Sequence, residues 1–202
     1  MPAVAITLLT VGLWWAQGVG FVRWLVPDQD QPVTVVVLAA VTGALANTIV
    51  LLELYFIVPA ATIGQLAWLV PIGLVLASMV LWWRAPRRVW RIDPASMVLL
   101  AIAVLGTLLV LRPLIGAAHL GFYFSNNGEF ANYAAIGDVV QFHDAATKVG
   151  GFGLSSREAV GSLSAAMIAQ LTGASVLWVI EPVAAAMALL AFASLGVLCR
   201  RI

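Results

Sequence analysis

The residues best equipped for chemistry form one polar island, Ser125-Asn126-Asn127-Gly128-Glu129-Phe130-Ala131-Asn132-Tyr133, in a chain that otherwise belongs in lipid. Ser125 or Asn126 can cap a helix over about 127–142, because a short polar side chain accepts from the free N–H groups of a first turn. Glu129 then sits in that first turn, where the helix dipole favours its ionised form. Glu129, Asn132 and Tyr133 are spaced i, i+3, i+4, so they present one carboxylate–amide–phenol cluster on a single helical face. A carboxylate held ionised beside amides and an aromatic ring suits a general base acting on a polyhydroxylated substrate. Asp138 lies nine residues on, toward the opposite face, and is a poor second acid for the same site. The bland reading is that Glu129 is a favourable first-turn acid and the asparagines are caps.

Three further ionisable residues give the island company. Glu53 lies about one turn below the end of the second apolar segment, Glu181 lies at a similar depth in the last one, followed by Pro182, and Arg112 closes the fourth. Charged groups in a membrane are costly and usually face a bundle interior or a watery cavity. All three are expected on one side of the membrane, which predicts a polar pocket beneath the loop that carries Glu129. Arg112 could hold an anionic group such as a phosphate; a plain interfacial anchor is the alternative. His119 and His143 match no compact metal motif, and Asp138, His143 and Asp144 offer oxygen donors for a divalent cation only as a weak pattern. No phosphate-binding loop, dinucleotide glycine motif or G-x-S-x-G nucleophile elbow is present. The cofactor is therefore left unassigned.

The elements that position these residues follow from composition. The 202-residue chain is 63% hydrophobic and 9% charged, against about 25% charged residues in soluble domains. Its mean hydropathy is +1.05. The fold class is all-α, a polytopic transmembrane helical bundle of about five spans plus short outer-face helices. Long continuous apolar runs exclude a β-barrel, whose strands alternate. A net charge of +1 gives no reason to expect a nucleic-acid partner. Cys199 is the only cysteine, so no internal disulfide forms.

Apolar segments run over about 3–26, 33–57, 60–83, 95–115 and 175–199, each near the ~20 residues that cross a bilayer core. The arginines at 84, 87, 88 and 91 mark a cytoplasmic loop. The N-terminus and residues 116–174 then lie outside, and Arg200 and Arg201 lie inside. This needs 157–172 not to cross. Ser155 and Glu158 form a capping box, Val160, Leu163, Met167 and Leu171 make one apolar stripe, and Gly173 ends the helix. The segment reads as an amphipathic helix in the outer interface; a short sixth span, which would leave Arg200 and Arg201 outside, is the competing reading. Most tryptophans fall near span ends, as an aromatic belt. Lys148 is the only lysine among abundant Arg, Ala, Val, Leu and Gly, a bias that suggests a bacterial source and a multi-pass plasma (inner) membrane location.

Two regions result, a three-span N-terminal part over 1–94 and a second part over 95–202. The second resembles the front end of the GT-C glycosyltransferases. The resemblance rests on a span leaving the cytoplasm, an outer loop with an acid before "NYAAIGDVV", a glycine-rich connection, "SREAVGSLSAAMIAQLTG", and a span returning to "CRRI". It covers about half of the chain. Such enzymes take a sugar from a polyprenyl-phosphate carrier at the extracytoplasmic face. Their first outer loop commonly carries two close acids followed by an aromatic residue. Glu129 with Phe130 and Tyr133 fits the acid–aromatic part, while Asn126 and Asn127 stand where a first acid often is. The resemblance implies Glu129 as general base, Arg112 on the lipid phosphate, Asn126, Asn127 and Asn132 on sugar hydroxyls, and Tyr133 or Phe124 stacked on a sugar face. The implied partners are membrane lipid and a lipid-linked sugar. The competing class is a non-enzymatic membrane subunit or small transporter. It would assemble with a protein partner or a second copy through small residues such as Gly43, Ala46 and Ala61.

Overall fold

The computed structural model describes residues 3–27, 31–57, 67–86 and 156–199, together with helical positions between 94 and 109. Among the described residues there are helices and no strands. The helices are α1 (Ala3–Leu25), α2 (Pro32–Ile57), α3 (Leu69–Arg84), α4 (Ser156–Thr172) and α5 (Val176–Cys199). Three are long and apolar enough to cross a membrane: Val4–Leu25, Pro32–Leu54 and Trp178–Cys199. α3 is apolar but only 16 residues long, about 24 Å at 1.5 Å per residue.

The boundaries obey local rules. α2 opens on Pro32, where proline's fixed φ suits a first helical position and its missing N–H is no loss. Pro71 falls in the first turn of α3 for the same reason. α4 ends at Gly173, which takes φ +67°, the left-handed stop that glycine adopts without a Cβ clash. Within the expected span over 60–83, the described helix runs from Leu69 after a turn at Ala67 and Trp68, and residues 60–66 lie outside the described residues. Pro59, between the second and third apolar segments, and Ser155 of the expected capping box lie outside the described residues.

α1 is the centre of the bundle, packed by α2, α3 and α5. In lipid there is little hydrophobic drive between helices, so association depends on close packing and interhelical hydrogen bonds. Two glycine crossings supply both. A Cβ on Gly18 would overlap the Ala39 carbonyl, and one on Gly43 would overlap the Trp14 carbonyl, so α1 and α2 meet backbone to backbone. A Cβ on Gly20 would overlap the Ser78 carbonyl, and the Gly20 N–H donates to Ser78 Oγ at 2.8 Å, joining α1 to α3.

The same contacts give each helix its direction. Gly20 meets Ser78 and Arg23 meets Trp82, so α1 and α3 run the same way. Thr7 near the start of α1 donates to the Pro182 carbonyl near the start of α5, at 3.2 Å. Val37 early in α2 packs with Ala193 late in α5. Hence α1, α3 and α5 run one way and α2 runs against them. The partly described helical stretch between 94 and 109 packs on α5, with Gly106 against the Phe192 ring.

α4 departs from the expected interfacial helix. Residues 164–169, six in succession, are at most 1% exposed, whereas a helix lying flat on a surface would expose one side in every turn. Met167 is enclosed, but Leu171, expected on the same apolar stripe, is exposed, and the off-stripe Ser164 is buried. The reason is tertiary: α4 doubles back on α5 through residues 173–175 and is also covered by α2.

Candidate functional site

The end of the bundle where α1 and α5 start and α2 finishes carries the two described acids of the expected site. Glu181 is buried at 4% exposure, within the core formed by Val179, Ile180 and Val183. It precedes Pro182, which lies inside α5. Proline donates no N–H, so the helix ladder is interrupted beside Glu181. The Pro182 carbonyl takes the Thr7 hydroxyl of α1 instead of serving the helix alone. An acid, a helix interruption and a hydroxyl from a neighbouring helix therefore coincide one to two turns from the α4–α5 connection.

Glu53 is at a matching depth but in a different setting. It lies four residues before Ile57, the end of α2, and is exposed. The two acids therefore share an end of the bundle but not an enclosure: Glu181 is walled in, and Glu53 faces out. Glu129, Arg112, Asn126, Asn127, Asn132 and Tyr133 lie outside the described residues, as do Phe124, Asp138, His143 and Asp144.

Below this end, α1 turns a polar face into the bundle. Thr7, Thr10, Trp14 and Gln17 recur at i, i+3, i+7 and i+10, and each is at most 2% exposed. Thr10 satisfies its hydroxyl on the Ile6 carbonyl at 2.8 Å, the local bond by which hydroxyls are tolerated in apolar surroundings. Gln17 Nε2 donates to Asn47 Oδ1 across the α1–α2 crossing, at 3.5 Å. At the far end Arg23 is nearly enclosed, with its guanidinium 5.1 Å from the centre of the Trp82 ring. Cation–π contact of this kind lowers the cost of taking a guanidinium out of water.

Sequence reasoning missed this face. Thr7, Thr10 and Gln17 look like incidental polar residues in an apolar run, and Trp14 looks like part of an aromatic belt. Their helical spacing was the available signal. Trp15, Trp24, Trp68, Trp82, Trp83 and Trp178 are exposed to differing degrees, as a belt requires, but Trp14 is 1% exposed and internal. Among the described residues no group of three or more His, Cys, Asp or Glu side chains is arranged to hold a metal.

Compared with known proteins, the chain matches no family model, no curated protein and no solved structure.

Proposed function

We propose that this is a multi-pass membrane glycosyltransferase of the GT-C kind, taking a sugar from a polyprenyl-phosphate donor at the extracytoplasmic face of a bacterial plasma membrane. The observation that carries the reading is Glu181: a carboxylate enclosed in a membrane helix, beside a proline interruption, at the same end of the bundle as Glu53. Intramembrane acids are expensive and mark functional sites by default. In this reading α3 and the stretch around 94–109 complete about five crossings, with the N-terminus outside and the C-terminus in the cytoplasm. The alternating directions of α1, α2 and α3 support that course, and α5 running with α1 agrees with it.

Glu129 acts as the general base. An acceptor hydroxyl attacks the anomeric carbon and loses its proton to the Glu129 carboxylate. The bond from the anomeric carbon to the lipid phosphate breaks, and the phosphate leaves with the electron pair. Arg112 balances the charge on the departing phosphate. Asn126, Asn127 and Asn132 orient the sugar hydroxyls, and Tyr133 stacks on the ring. Glu181 stands enclosed at the end of the bundle that this reading puts outside.

Membrane vesicles carrying the protein and supplied with polyprenyl-phosphate sugars test this directly. Glu129→Gln should lower transfer by about 10²–10⁴-fold, the range for loss of a general base, with unchanged membrane insertion. Transfer at the wild-type rate in that variant would remove Glu129 from the role.

A further inference from the structure

The amide pair at the centre of the α1–α2 crossing is incomplete in a specific way. Gln17 and Asn47 are both fully enclosed, and one bond joins them, from Gln17 Nε2 to Asn47 Oδ1. That leaves Gln17 Oε1 and Asn47 Nδ2 buried with no hydrogen-bond partner. Exchanging oxygen and nitrogen on both amides reverses the bond and still leaves one acceptor and one donor over. Exchanging them on one amide alone sets two donors or two acceptors face to face. Every sensible assignment therefore leaves one unmet acceptor and one unmet donor.

A third orphan lies on the same face of α1. Trp14 Nε1 is buried and has no partner. Trp14 and Gln17 are i, i+3 on one face of α1, and helical side chains lean toward their own N-terminus, which brings Gln17 back toward the turn of Trp14. Asn47 stands one turn from Gly43, the residue whose Cα abuts the Trp14 carbonyl. The three residues thus offer two donors and one acceptor. An unsatisfied buried polar group costs about 1–3 kcal/mol, and in lipid no bulk solvent is at hand to relieve it.

We propose that these three residues form a binding site for one internal water molecule. The water donates to Gln17 Oε1 and accepts from both Asn47 Nδ2 and the Trp14 indole N–H, the three polar partners typical of a buried water. The helices meet backbone to backbone at Gly18 and Gly43, within one turn of this amide pair. The water completes the polar face of α1, which runs from Thr7 beside Pro182 down to Gln17. The site does not depend on the glycosyltransferase reading.

The test is a water-selective rotating-frame NMR experiment on the full chain in detergent micelles, with ¹⁵N-labelled tryptophan, asparagine and glutamine. Expected are cross-peaks at the water frequency from the Asn47 side-chain amide and the Trp14 indole proton, opposite in sign to the diagonal. That sign marks a held water rather than proton exchange. Both peaks should persist in Thr10→Val, which removes the buried hydroxyl one turn from Trp14 on the same face of α1. The Trp14 peak should be lost in a Gln17→Leu, Asn47→Leu double variant. Resolved amide and indole signals without water cross-peaks in the wild-type protein would overturn the proposal, whether or not the double variant folds. Loss of the peaks in Thr10→Val would overturn it as well.

Discussion

At the scale of the residue, two glutamates of similar depth have different fates. Glu181 is enclosed in the bundle, whereas Glu53 faces out of it. A neutral amide matches the carboxylate of Glu181 in shape but offers one acceptor oxygen where the carboxylate offers two. Glu181→Gln is therefore expected to lower stability by about 1–3 kcal/mol. Glu53→Gln should leave the thermal midpoint in detergent unchanged. A midpoint measurement on purified protein compares the two; equal shifts would mean that burial of residue 181 has no energetic weight. Depth was readable from the sequence, since both acids count back from a span end. Which of them faces inward was not, because nearly every neighbour of either residue is apolar and no stripe distinguishes inside from outside.

At the scale of the element, glycines decide how the helices meet. Gly18, Gly20 and Gly43 sit where a Cβ would run into the backbone of another helix, while Gly12 and Gly73 have nothing within 4 Å. Gly18→Leu should force α1 and α2 apart and cost at least the roughly 1–3 kcal/mol typical of overpacking. Gly12→Ala should be neutral or stabilise by up to about 1 kcal/mol, the difference in helix propensity. Thermal unfolding followed by helical circular dichroism reads both. The sequence singled out Gly43 as a packing residue but not Gly18 or Gly20, since small residues are frequent throughout these helices and only a crossing point gives one of them meaning. α4 teaches the same lesson. Its span, 156–172, and its glycine stop were legible from local signals. Its enclosure was not, because its apolar stripe describes one face, and α2 and α5 cover more than one.

At the scale of the whole molecule, direction is the property that bears on function. α1, α3 and α5 share a direction, so the start of α5 and the start of α1 lie at one end. In the proposed topology that end is extracytoplasmic. Single cysteines placed at 129 and 202 in a Cys199→Ala background, probed with a membrane-impermeant thiol reagent in sealed cells, should react at 129 and stay silent at 202 until the membrane is opened. Cys199 is a free and exposed thiol, so its removal is needed for a clean reading. Reaction at both positions in sealed cells would contradict the proposed course and, with it, the outward-facing site.

The sequence by itself determined what lipid imposes: helices rather than strands, their approximate lengths, and their ends at proline and glycine. These are local consequences of apolar composition and backbone chemistry, and they need no neighbour to be true. Tertiary structure alone decided which residues of those helices are inside. In a soluble protein the polar side of a helix faces water, so its inner face can be read from the pattern. In a bilayer, lipid and protein interior are equally apolar, and the pattern loses that meaning. The enclosed Trp14, Gln17, Asn47 and Glu181 emerge only once α1, α2 and α5 are packed together.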